Sequence, residues 1–332
     1  MCENTSKGLP KQRGCSSALR RQDGKSPGVC GLDNSGNSCY LNAVLQCLCS
    51  TVPLVEHLLN QDTRKELGRS KCRVAMTFIH LLDEMWLGKS SSCAPVEARS
   101  VLCSVLPQFN NFSQQDAQEL LLFLLNALHN DLKKVQHHPS LNIHHENGSC
   151  ASAAGESITI SVFGLYSRQV LDKVVLFCAF SHLCLHVVQD CLSLFFEQTI
   201  LSGGEQMLCS VCGLRRETAV LTCLNKPPEI LMLHLKRWVD ATLPVKLRTN
   251  VVFPTRLDIS PFLSSSIQNT SHSSYRLYAV VNHTGHLNMG HYTALCHNAL
   301  TRTWHCFDDS AVREVRDNLV QSPNAYMLLY TG

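Results

Sequence analysis

Residues 31–46 read Gly-Leu-Asp-Asn-Ser-Gly-Asn-Ser-Cys-Tyr-Leu-Asn-Ala-Val-Leu-Gln, and the character of this run changes in its middle. Its first half is rich in Gly, Asn, Asp and Ser, which favour turns, whereas its second half is apolar enough to begin a helix. Cys39 stands at the junction. The unpaired N–H groups and the dipole of a helix N-terminus stabilise negative charge, so we expect this placement to favour the Cys39 thiolate.

The simplest interpretation of Cys39 is still a packing residue. The chain has 18 cysteines, and a cysteine without a disulfide is usually a small apolar core side chain. They are scattered through 332 residues, unlike the dense framework of a small secreted domain, so we expect most of them to be reduced. The glycine-rich approach to Cys39 is what favours a nucleophile at that position.

A cysteine nucleophile needs a base to take its proton and a third group to orient that base. His291 is the candidate base, because a loop predicted at Thr284–Gly290 leads into it and a strand follows. Asp308 is the candidate orienting residue at the end of the next predicted strand, and Asp309 stays open as the alternative. Singly, each is more simply a structural histidine or a turn residue. The order Cys, distant His, then acid is the papain-like order.

The period of the apolar pattern predicts a mainly helical first part and a second part made of strands. Apolar residues recur every three to four positions at Tyr40–Cys49, Arg73–Leu87 and Asp116–Lys134. We expect Ser113 with Asp116 to cap the last of these helices. Later residues alternate, which predicts an antiparallel sheet with strands at Glu229–Trp238, Tyr275–His283, His291–His297, Thr303–Asp308 and Ala325–Thr331. A serine-rich stretch at Ser264–Ser274 predicts an exposed loop.

The charge is concentrated near the start of the chain. The net charge is +3, but residues 1–29 hold six Lys and Arg against two Asp and Glu, which leaves about −1 for the remainder. This balance lacks the basic footprint of a nucleic-acid-binding surface. No signal-peptide pattern and no apolar stretch long enough to span a bilayer is visible. We therefore expect a soluble monomer of the cytoplasm and/or nucleus, without nucleic-acid or membrane partners.

Six blocks along the chain resemble the motifs of the ubiquitin-specific protease family, in the same order. The first is the cysteine block at residues 31–46, quoted above. The others are Gln114–Glu119 (QQDAQE), Pro228–Trp238 (PEILMLHLKRW), Tyr275–His283 (YRLYAVVNH), Gly290–Tyr292 (GHY) and Trp304–Ser310 (WHCFDDS). Together they cover most of the chain from Cys30 to Tyr330.

The resemblance implies an α+β papain-like cysteine protease fold with thumb, palm and fingers. The helical part would be the thumb and the antiparallel sheet the palm, with Cys39 between them. We expect a disordered basic leader at 1–29 and a single catalytic domain at 30–331. Within that domain the expected parts are a thumb at 30–135, a flexible connector at 136–157, truncated or divergent fingers at 158–225 and a palm at 226–331.

The family's catalytic roles carry over residue by residue. Cys39 would be the nucleophile, His291 the base and Asp308 the third member of the triad. Asn34 would donate its side-chain N–H to the oxyanion, an interaction worth on the order of 3 kcal/mol in such sites.

The resemblance also implies a channel for the extended C-terminal tail of ubiquitin, lined by Asp116, Gly290 and Tyr292. The acid would suit basic residues of the tail, and the glycine would allow close approach of the backbone. Helix capping and strand packing are the alternative roles of these residues.

The implied reaction is thiol-dependent hydrolysis of the isopeptide bond at the C-terminal glycine of ubiquitin on lysine-linked conjugates. Ubiquitin and ubiquitinated proteins would be the partners, and catalysis would need no cofactor. Two alternatives remain open. One is a non-catalytic ubiquitin-binding scaffold, and the other is a protease for a ubiquitin-like modifier, which the same tail channel could admit.

The structural zinc site of the family is only half present in this sequence. Family members often hold the fingers with zinc on two Cys-x-x-Cys knuckles, and this chain has one, at Cys209 and Cys212. Four ligands complete a structural zinc site, and two do not. Cys178 with Cys184 or His182 could supply the missing pair, although cysteines with apolar neighbours are more often core residues.

Overall fold

The structure is a computed structural model that describes residues 26–88, 90–111, 113–136, 175–180, 186–210, 212–220, 223–224, 227–237, 246–264, 273–286 and 289–332. Within these ranges the α-helices are α1 Cys39–Cys49, α2 Val52–Leu59, α3 Gln61–Arg69, α4 Arg73–Leu87, α5 Val96–Val105, α6 Ala117–Gln136 and α7 Val188–Phe195. No single described helix is long and apolar enough to cross a membrane, although α1 and α2 pass together on length and composition, with a bend of 78° between them.

The three helices predicted from the apolar period are all present. The helix α4 has the predicted bounds, and its apolar positions, among them Val74, Phe78 and Leu82, are buried. Of the capping pair predicted for α6, Asp116 is confirmed and Ser113 is wrong. Asp116 itself stands before the helix, where its Oδ1 accepts the backbone N–H of Gln118 at 2.7 Å. A short carboxylate side chain directly before a helix can accept a first-turn N–H group that would otherwise be unpaired, so Asp116 caps the helix on its own.

The strands of the described residues fall into one large sheet and three small ladders. They are β1 Gly31–Leu32, β2 Ser92–Cys93, β3 Val175–Phe180, β4 Thr199–Leu201, β5 Met207–Leu208, β6 Arg215–Arg216, β7 Thr218–Val220, β8 Ile230–Leu235, β9 Arg256–Asp258, β10 Ser274–His286, β11 Met289–His297, β12 Trp304–Asp308, β13 Ala311–Val315 and β14 Ala325–Thr331.

The large sheet, called here the palm sheet, has the order β13-β12-β11-β10-β14-β8-β3, with β9 paired to the start of β10. The five predicted strands are β8, β10, β11, β12 and β14, and they pair antiparallel with one another. The edge strand β3 differs from the prediction because it runs parallel to β8. Parallel pairing needs a long crossover, and the chain between these two strands, which includes α7, provides one.

The loop predicted at Thr284–Gly290 is wrong. Strand β10 continues to His286 and β11 resumes at Met289, with Thr284 opposite His291. The glycines that suggested a loop instead take part in the ladder, and Gly285 does so with φ of +86°, a conformation that other residues rarely adopt.

The palm sheet is covered on both faces, as β8 illustrates. Ile230 and Met232 belong to the core shared with α1, α4 and α6, whereas Leu231 and Leu233 belong to a second core with α7 and residues 251–263. Successive side chains of a strand point to opposite faces. Burial on both faces explains why β8 is continuously apolar rather than alternating.

The boundaries expected for the parts of the domain remain predictions, because most of the connector and much of the fingers lie outside the described residues. The same holds for residues 265–272 of the predicted serine-rich loop, whose last residue, Ser274, begins β10. One boundary differs from expectation. Gly28, assigned to the disordered leader, donates its N–H to the Met85 carbonyl at 3.2 Å and packs against Trp86. The folded domain therefore includes residues just before Cys30.

Candidate active site

Cys39 begins α1 at the end of a loop that is held by its own hydrogen bonds. The Asn34 Oδ1 atom accepts the backbone N–H groups of Gly36 at 2.9 Å and Ser38 at 3.2 Å. Gly36 and Asn37 have φ of +95° and +48°. Gly and Asn adopt this left-handed region more readily than other residues. The turn-forming half of the motif thus places Cys39 at the first position of the helix.

A carboxylate of the palm sheet holds this loop in place. Asp309 lies in the turn between β12 and β13 and accepts Asn34 Nδ2 at 2.9 Å on one oxygen. Its other oxygen accepts Asn42 Nδ2 at 2.8 Å. Because Asn34 donates here and accepts N–H groups through Oδ1, the orientation of its amide is determined. The amide has a second hydrogen, which is available for an oxyanion.

The backbone also docks the loop on the same turn. The Leu32 N–H donates to the Asp309 carbonyl at 2.9 Å. A Cβ on Gly31 would lie 2.3 Å from the carbonyl oxygen of Ser310, so only glycine allows this approach.

The Cys39 side chain is buried, with 3% of the residue exposed, and none of the 13 described cysteines is in a disulfide bond. Burial raises the pKa of the Cys39 thiol, and the Asp309 carboxylate adds to the rise. The backbone N–H groups of Tyr292, Tyr40 and Cys39 act against it and lower the pKa. The helix N-terminus therefore favours the thiolate as expected, but desolvation outweighs it and the net direction of the pKa is upward. A thiol whose pKa is raised needs a base before it can act as a nucleophile.

His291 and Asp308 are joined by a hydrogen bond of 2.7 Å between Nε2 and Oδ1. Their side chains are 39% and 54% exposed, so this pair lies at an open surface while Cys39 is buried. In the neutral ring, the nitrogen that donates to the carboxylate carries the proton, and the other nitrogen carries the lone pair. The atom of His291 that can accept the Cys39 proton is therefore Nδ1.

Gly290, the residue before His291, is held by contacts on two sides. The Gly290 N–H donates to Gln114 Oε1 at 2.6 Å, and its carbonyl accepts Gln114 Nε2. A Cβ on Gly290 would lie 2.1 Å from Nε2 of His283. Gln114 precedes α6, so these two hydrogen bonds join the helical part of the domain to the palm sheet beside His291.

The His283 ring, which lies against Gly290, is itself held by Lys246. The Lys246 ammonium lies 3.1 Å from Nδ1 of His283 and donates to the His283 carbonyl. Burial, assisted by Lys246, lowers the pKa of His283 to about 4, so the ring is neutral and can accept from the ammonium. Burial likewise lowers the pKa of Lys246 to about 8.

Two of the residues implied to line a tail channel have packing contacts of their own. Asp116 Oδ2 accepts the Tyr326 hydroxyl at 2.6 Å, in addition to capping α6. The Tyr292 ring packs against Tyr326 and His283, with centroid separations of 5.7 and 4.5 Å. Asp116 is half-buried, whereas Tyr292 is buried and its backbone N–H lies beside the Cys39 sulfur.

Comparison with known sequences settles the family. The family described as "Ubiquitin carboxyl-terminal hydrolase" matches residues 30–330. The chain belongs to this family. Ubiquitin carboxyl-terminal hydrolase 2 of Rattus norvegicus is 32% identical over 91% of this chain and 54% of its own length, and that of Gallus gallus is 33% identical over 91% and 93%. Ubiquitin carboxyl-terminal hydrolase 21 of Rattus norvegicus is 29% identical over 91% and 61%. The chain spans about half the length of the first of these relatives.

Solved structures of the family confirm the predicted papain-like α+β fold. A chain of the SAGA DUB module Ubp8/Sgf11/Sus1/Sgf73 bound to monoubiquitin aligns with a TM-score of 0.70 and 20% identity, over 92% of this chain and 69% of that chain. The same module bound to ubiquitin aldehyde gives a TM-score of 0.69 and 20% identity, over 92% and 70%.

The zinc expectation concerns the hairpin of β5 and β6 in the predicted fingers. Between these strands the Cys209 N–H donates to the Leu214 carbonyl and its carbonyl accepts the Gly213 N–H, both at 2.9 Å, which places Cys209 and Cys212 on one tight turn. These two residues supply half of the four ligands that a structural zinc site needs. The residues proposed for the other half are not described at the side-chain level. His182 and Cys184 lie outside the described residues, and of Cys178 only the backbone, in β3, is described.

Within the described ranges, the side chains of His291, Asp308 and Asp309 are the one group of three whose ligand atoms all lie within 4.8 Å of one another. His291 and Asp308 already bond each other, and Asp309 bonds two asparagines. This group is therefore accounted for by the hydrogen bonds of the active site, and zinc at Cys209 and Cys212 stays a prediction.

Sequence reasoning missed the residues that join the two sides of the site, namely Gln114, Asn42 and the loop-binding role of Asp309. A signal for Asn42 was present. Asn42 and Gln46 stand four residues apart in an otherwise apolar helix, and both are 2% exposed. Buried amides at that spacing lie on one face of the helix and need partners, which here are backbone carbonyls of residues 30–33 and, for Asn42, also the Asp309 carboxylate.

Proposed function

We propose that the chain is a thiol-dependent deubiquitinase that hydrolyses the isopeptide bond between the C-terminal glycine of ubiquitin and a lysine of a target protein. The observation that carries the proposal is the hydrogen bond between His291 and Asp308 on the palm sheet, together with the backbone N–H of the next residue, Tyr292, which lies at the buried Cys39 sulfur. Membership of the family supports it. Ubiquitin as the partner is supported by the solved relatives in complex with monoubiquitin and ubiquitin aldehyde.

In the first step, His291 Nδ1 accepts the thiol proton as the Cys39 sulfur attacks the carbonyl carbon of the terminal glycine. Because burial raises the pKa of Cys39, the thiol depends on His291 to take its proton for the attack. The protonated ring is stabilised by Asp308 and then donates its proton to the departing lysine amine. Water, activated by the same ring, hydrolyses the thioester, which releases ubiquitin with a free carboxylate and regenerates the thiol.

The tetrahedral intermediate carries a negative oxygen that needs donors. Asn34 uses one amide hydrogen on Asp309 and can direct the other to this oxygen. The Asp309 carboxylate holds the amide in position before substrate arrives, and such preorganisation is what makes a donor effective.

The tail of ubiquitin is proposed to enter past Asp116, Gly290 and Tyr292. The two hydrogen bonds between Gln114 and Gly290 bring the helical part and the palm sheet together at this point. The half-buried Asp116 carboxylate adds negative charge beside it, which favours a basic tail.

The reaction needs no cofactor, since the nucleophile, the base and the oxyanion donor are all side chains. A zinc ion at Cys209 and Cys212 would serve the fingers and not the chemistry. We also propose that the protein acts as a monomer in the cytoplasm and/or nucleus. The hypotheses that it lacks nucleic-acid and membrane partners belong to the same proposal.

The test is covalent labelling by a ubiquitin probe that carries an electrophile in place of its C-terminal carboxylate. Mass spectrometry detects the adduct. We expect one adduct on the full chain, none on Cys39→Ala, and an unchanged adduct on Cys212→Ala. Cys212 is a suitable control because it is exposed and a less selective reagent would react with it.

The same experiment with matched ubiquitin-like probes separates the alternatives. Labelling by a ubiquitin-like probe but not by ubiquitin would favour a protease for that modifier. Binding of ubiquitin without labelling by any probe would favour the scaffold.

A further inference from the structure

A cavity of about 430 Å³ opens at the end of the palm sheet away from the active site. Arg276, Arg302 and His297 line it, together with the start of α2. Arg276 lies eight positions before Thr284 on β10, and Thr284 pairs with His291. At about 3.4 Å per residue, the cavity is roughly 27 Å from the catalytic base.

The charges that line this cavity are all cationic. Neither the Arg276 nor the Arg302 guanidinium has a hydrogen bond or ion pair within the described part of the chain. No Asp or Glu is among the lining residues. Burial and the neighbouring Arg276 lower the pKa of His297, whereas Asp317 acts in the opposite direction without lining the cavity.

A second arginine pair increases the concentration of positive charge. Arg276 lies directly opposite Arg256 in the ladder of β10 and β9, and both line an adjoining depression. Like charges opposite each other across two strands destabilise the ladder unless something compensates them. An unfavourable pairing of like charges such as this one is typical of functional sites.

The helix α2 adds its positive end to the same cavity. Val52 and Pro53, its first two residues, line the wall, and no side chain caps the helix. The Thr51 hydroxyl at the cap position donates to the Cys47 carbonyl and meets the Tyr278 hydroxyl instead. Pro53 has no N–H, so Val52 supplies the N–H that this wall offers to an anion at the positive end of the helix.

Arg302 is held on a fixed turn. It has φ of +58°, and its N–H donates to the Asn298 carbonyl at 2.8 Å. The Asn298 side chain accepts the Leu300 and Thr301 N–H groups and donates to the Pro27 carbonyl. The backbone that carries the Arg302 side chain is therefore already ordered before a ligand binds.

We propose that this cavity binds a small ligand that carries phosphate groups. Guanidinium groups match the geometry of phosphate oxygens and remain charged at all physiological pH values. The volume exceeds that of one phosphate, so the ligand carries more than one such group or an organic portion. The site is independent of the proposed isopeptidase activity, because it shares no residue with the active site.

The test is titration calorimetry of the full chain with inorganic tripolyphosphate at about 0.15 M salt. We expect saturable binding with a dissociation constant on the order of 0.1 mM or tighter. Arg276→Gln with Arg302→Gln should weaken binding at least tenfold. The matched double variant, Arg69→Gln with Arg216→Gln, removes two exposed charges outside the cavity and should stay within twofold of the unmodified chain.

A second pair of variants guards against a folding defect. Ala299 is an exposed lining residue, so Ala299→Glu should abolish binding while Ala299→Gln retains it. Labelling by the ubiquitin probe should be the same in all these variants. A phosphoserine peptide in a parallel titration distinguishes a protein-borne phosphate from a free ligand by which of the two binds more tightly. Equal binding of sulfate, or unchanged binding in Arg276→Gln with Arg302→Gln, would mean an adventitious ion only and overturn the proposal.

Discussion

The two sides of the active site are built by different means. The cysteine wall, residues 31–46, is an irregular loop and the start of a helix, held by side-chain hydrogen bonds from Asn34, Asn42 and Gln46. The histidine wall, strands β10 to β12, is held by the backbone register of a sheet. The cysteine wall therefore depends on particular polar side chains, whereas the histidine wall depends on close backbone packing.

Two adjacent acids show the difference most directly. Asp308 forms a hydrogen bond with His291, which is also on the histidine wall. Asp309 instead accepts hydrogen bonds from Asn34 and Asn42 of the cysteine wall. Asp309 can do so because its φ of +51° turns the chain between β12 and β13. Neighbours in sequence thus bond different sides of the site.

The largest expected effect separates these two acids. Asp308→Asn should lower kcat/KM for a ubiquitin C-terminal amide on the order of 10³-fold, because the His291 ring loses its orientation and tautomer. Asp309→Asn should lower it on the order of tenfold, since the amide can still accept one of the two hydrogen bonds. A larger loss for Asp309→Asn than for Asp308→Asn would assign the orienting role to Asp309.

Lowering the pH should destabilise the domain, because the folded protein holds histidine side chains such as that of His234 buried on the palm sheet. Burial lowers the pKa of His234 to about 4, so from about pH 6.5 down to pH 4 the unfolded chain binds a proton that the folded chain does not. The free energy of unfolding should fall across this window by up to about 3 kcal/mol for this residue, a contribution that is complete above pH 6.5.

His234→Gln should flatten that dependence in urea denaturation at pH 7 and pH 4.5. His80→Gln is the matched control, because the His80 side chain is 53% exposed on α4 of the helical part. An equally steep slope in His234→Gln would contradict the assignment.

The close packing of the histidine wall is tested at Gly290. Gly290→Ala should destabilise the domain by about 1–3 kcal/mol and displace His291, because the new methyl group meets the His283 ring. Thermal unfolding and probe labelling measure the two effects. Gly204→Ala provides the control, since a Cβ there meets nothing within 4 Å. If both variants behave alike, the contact with His283 has no energetic importance.

The smallest expected effect concerns the outer surface of the cysteine wall. Arg99 donates to the Ser35 carbonyl at 2.6 Å and to its hydroxyl. Since this contact is exposed, Arg99→Ala should slow probe labelling only about two- to fivefold, equivalent to roughly 0.5–1 kcal/mol. Arg73→Ala, at an exposed position on α4, should label at the unmodified rate. A loss above a hundredfold would show that the loop depends on this one contact.

Much of the fold could be predicted because it follows from local patterns. The helix at Arg73–Leu87 and the strand at Ala325–Thr331 have the predicted bounds. Burial follows the helical period in the helix, whereas the strand is a short apolar run that is buried continuously from Ala325 to Tyr330. The loop at Thr284–Gly290 could not be predicted correctly. Glycine favours turns in isolation. Here β10 and β11 continue to pair through Gly285 and Gly290, so the ladder includes both glycines.

The sequence by itself determined the family, the order of the motifs and the chemistry of the candidate residues Cys39, His291, Asp308 and Asn34, because residue types and turn signals are local properties. Only the tertiary structure decided which acid bonds His291, because hydrogen bonds such as Asn34 to Asp309 join residues 275 positions apart. It also decided the direction in which the pKa of Cys39 moves, because desolvation depends on what the folded chain places over the thiol.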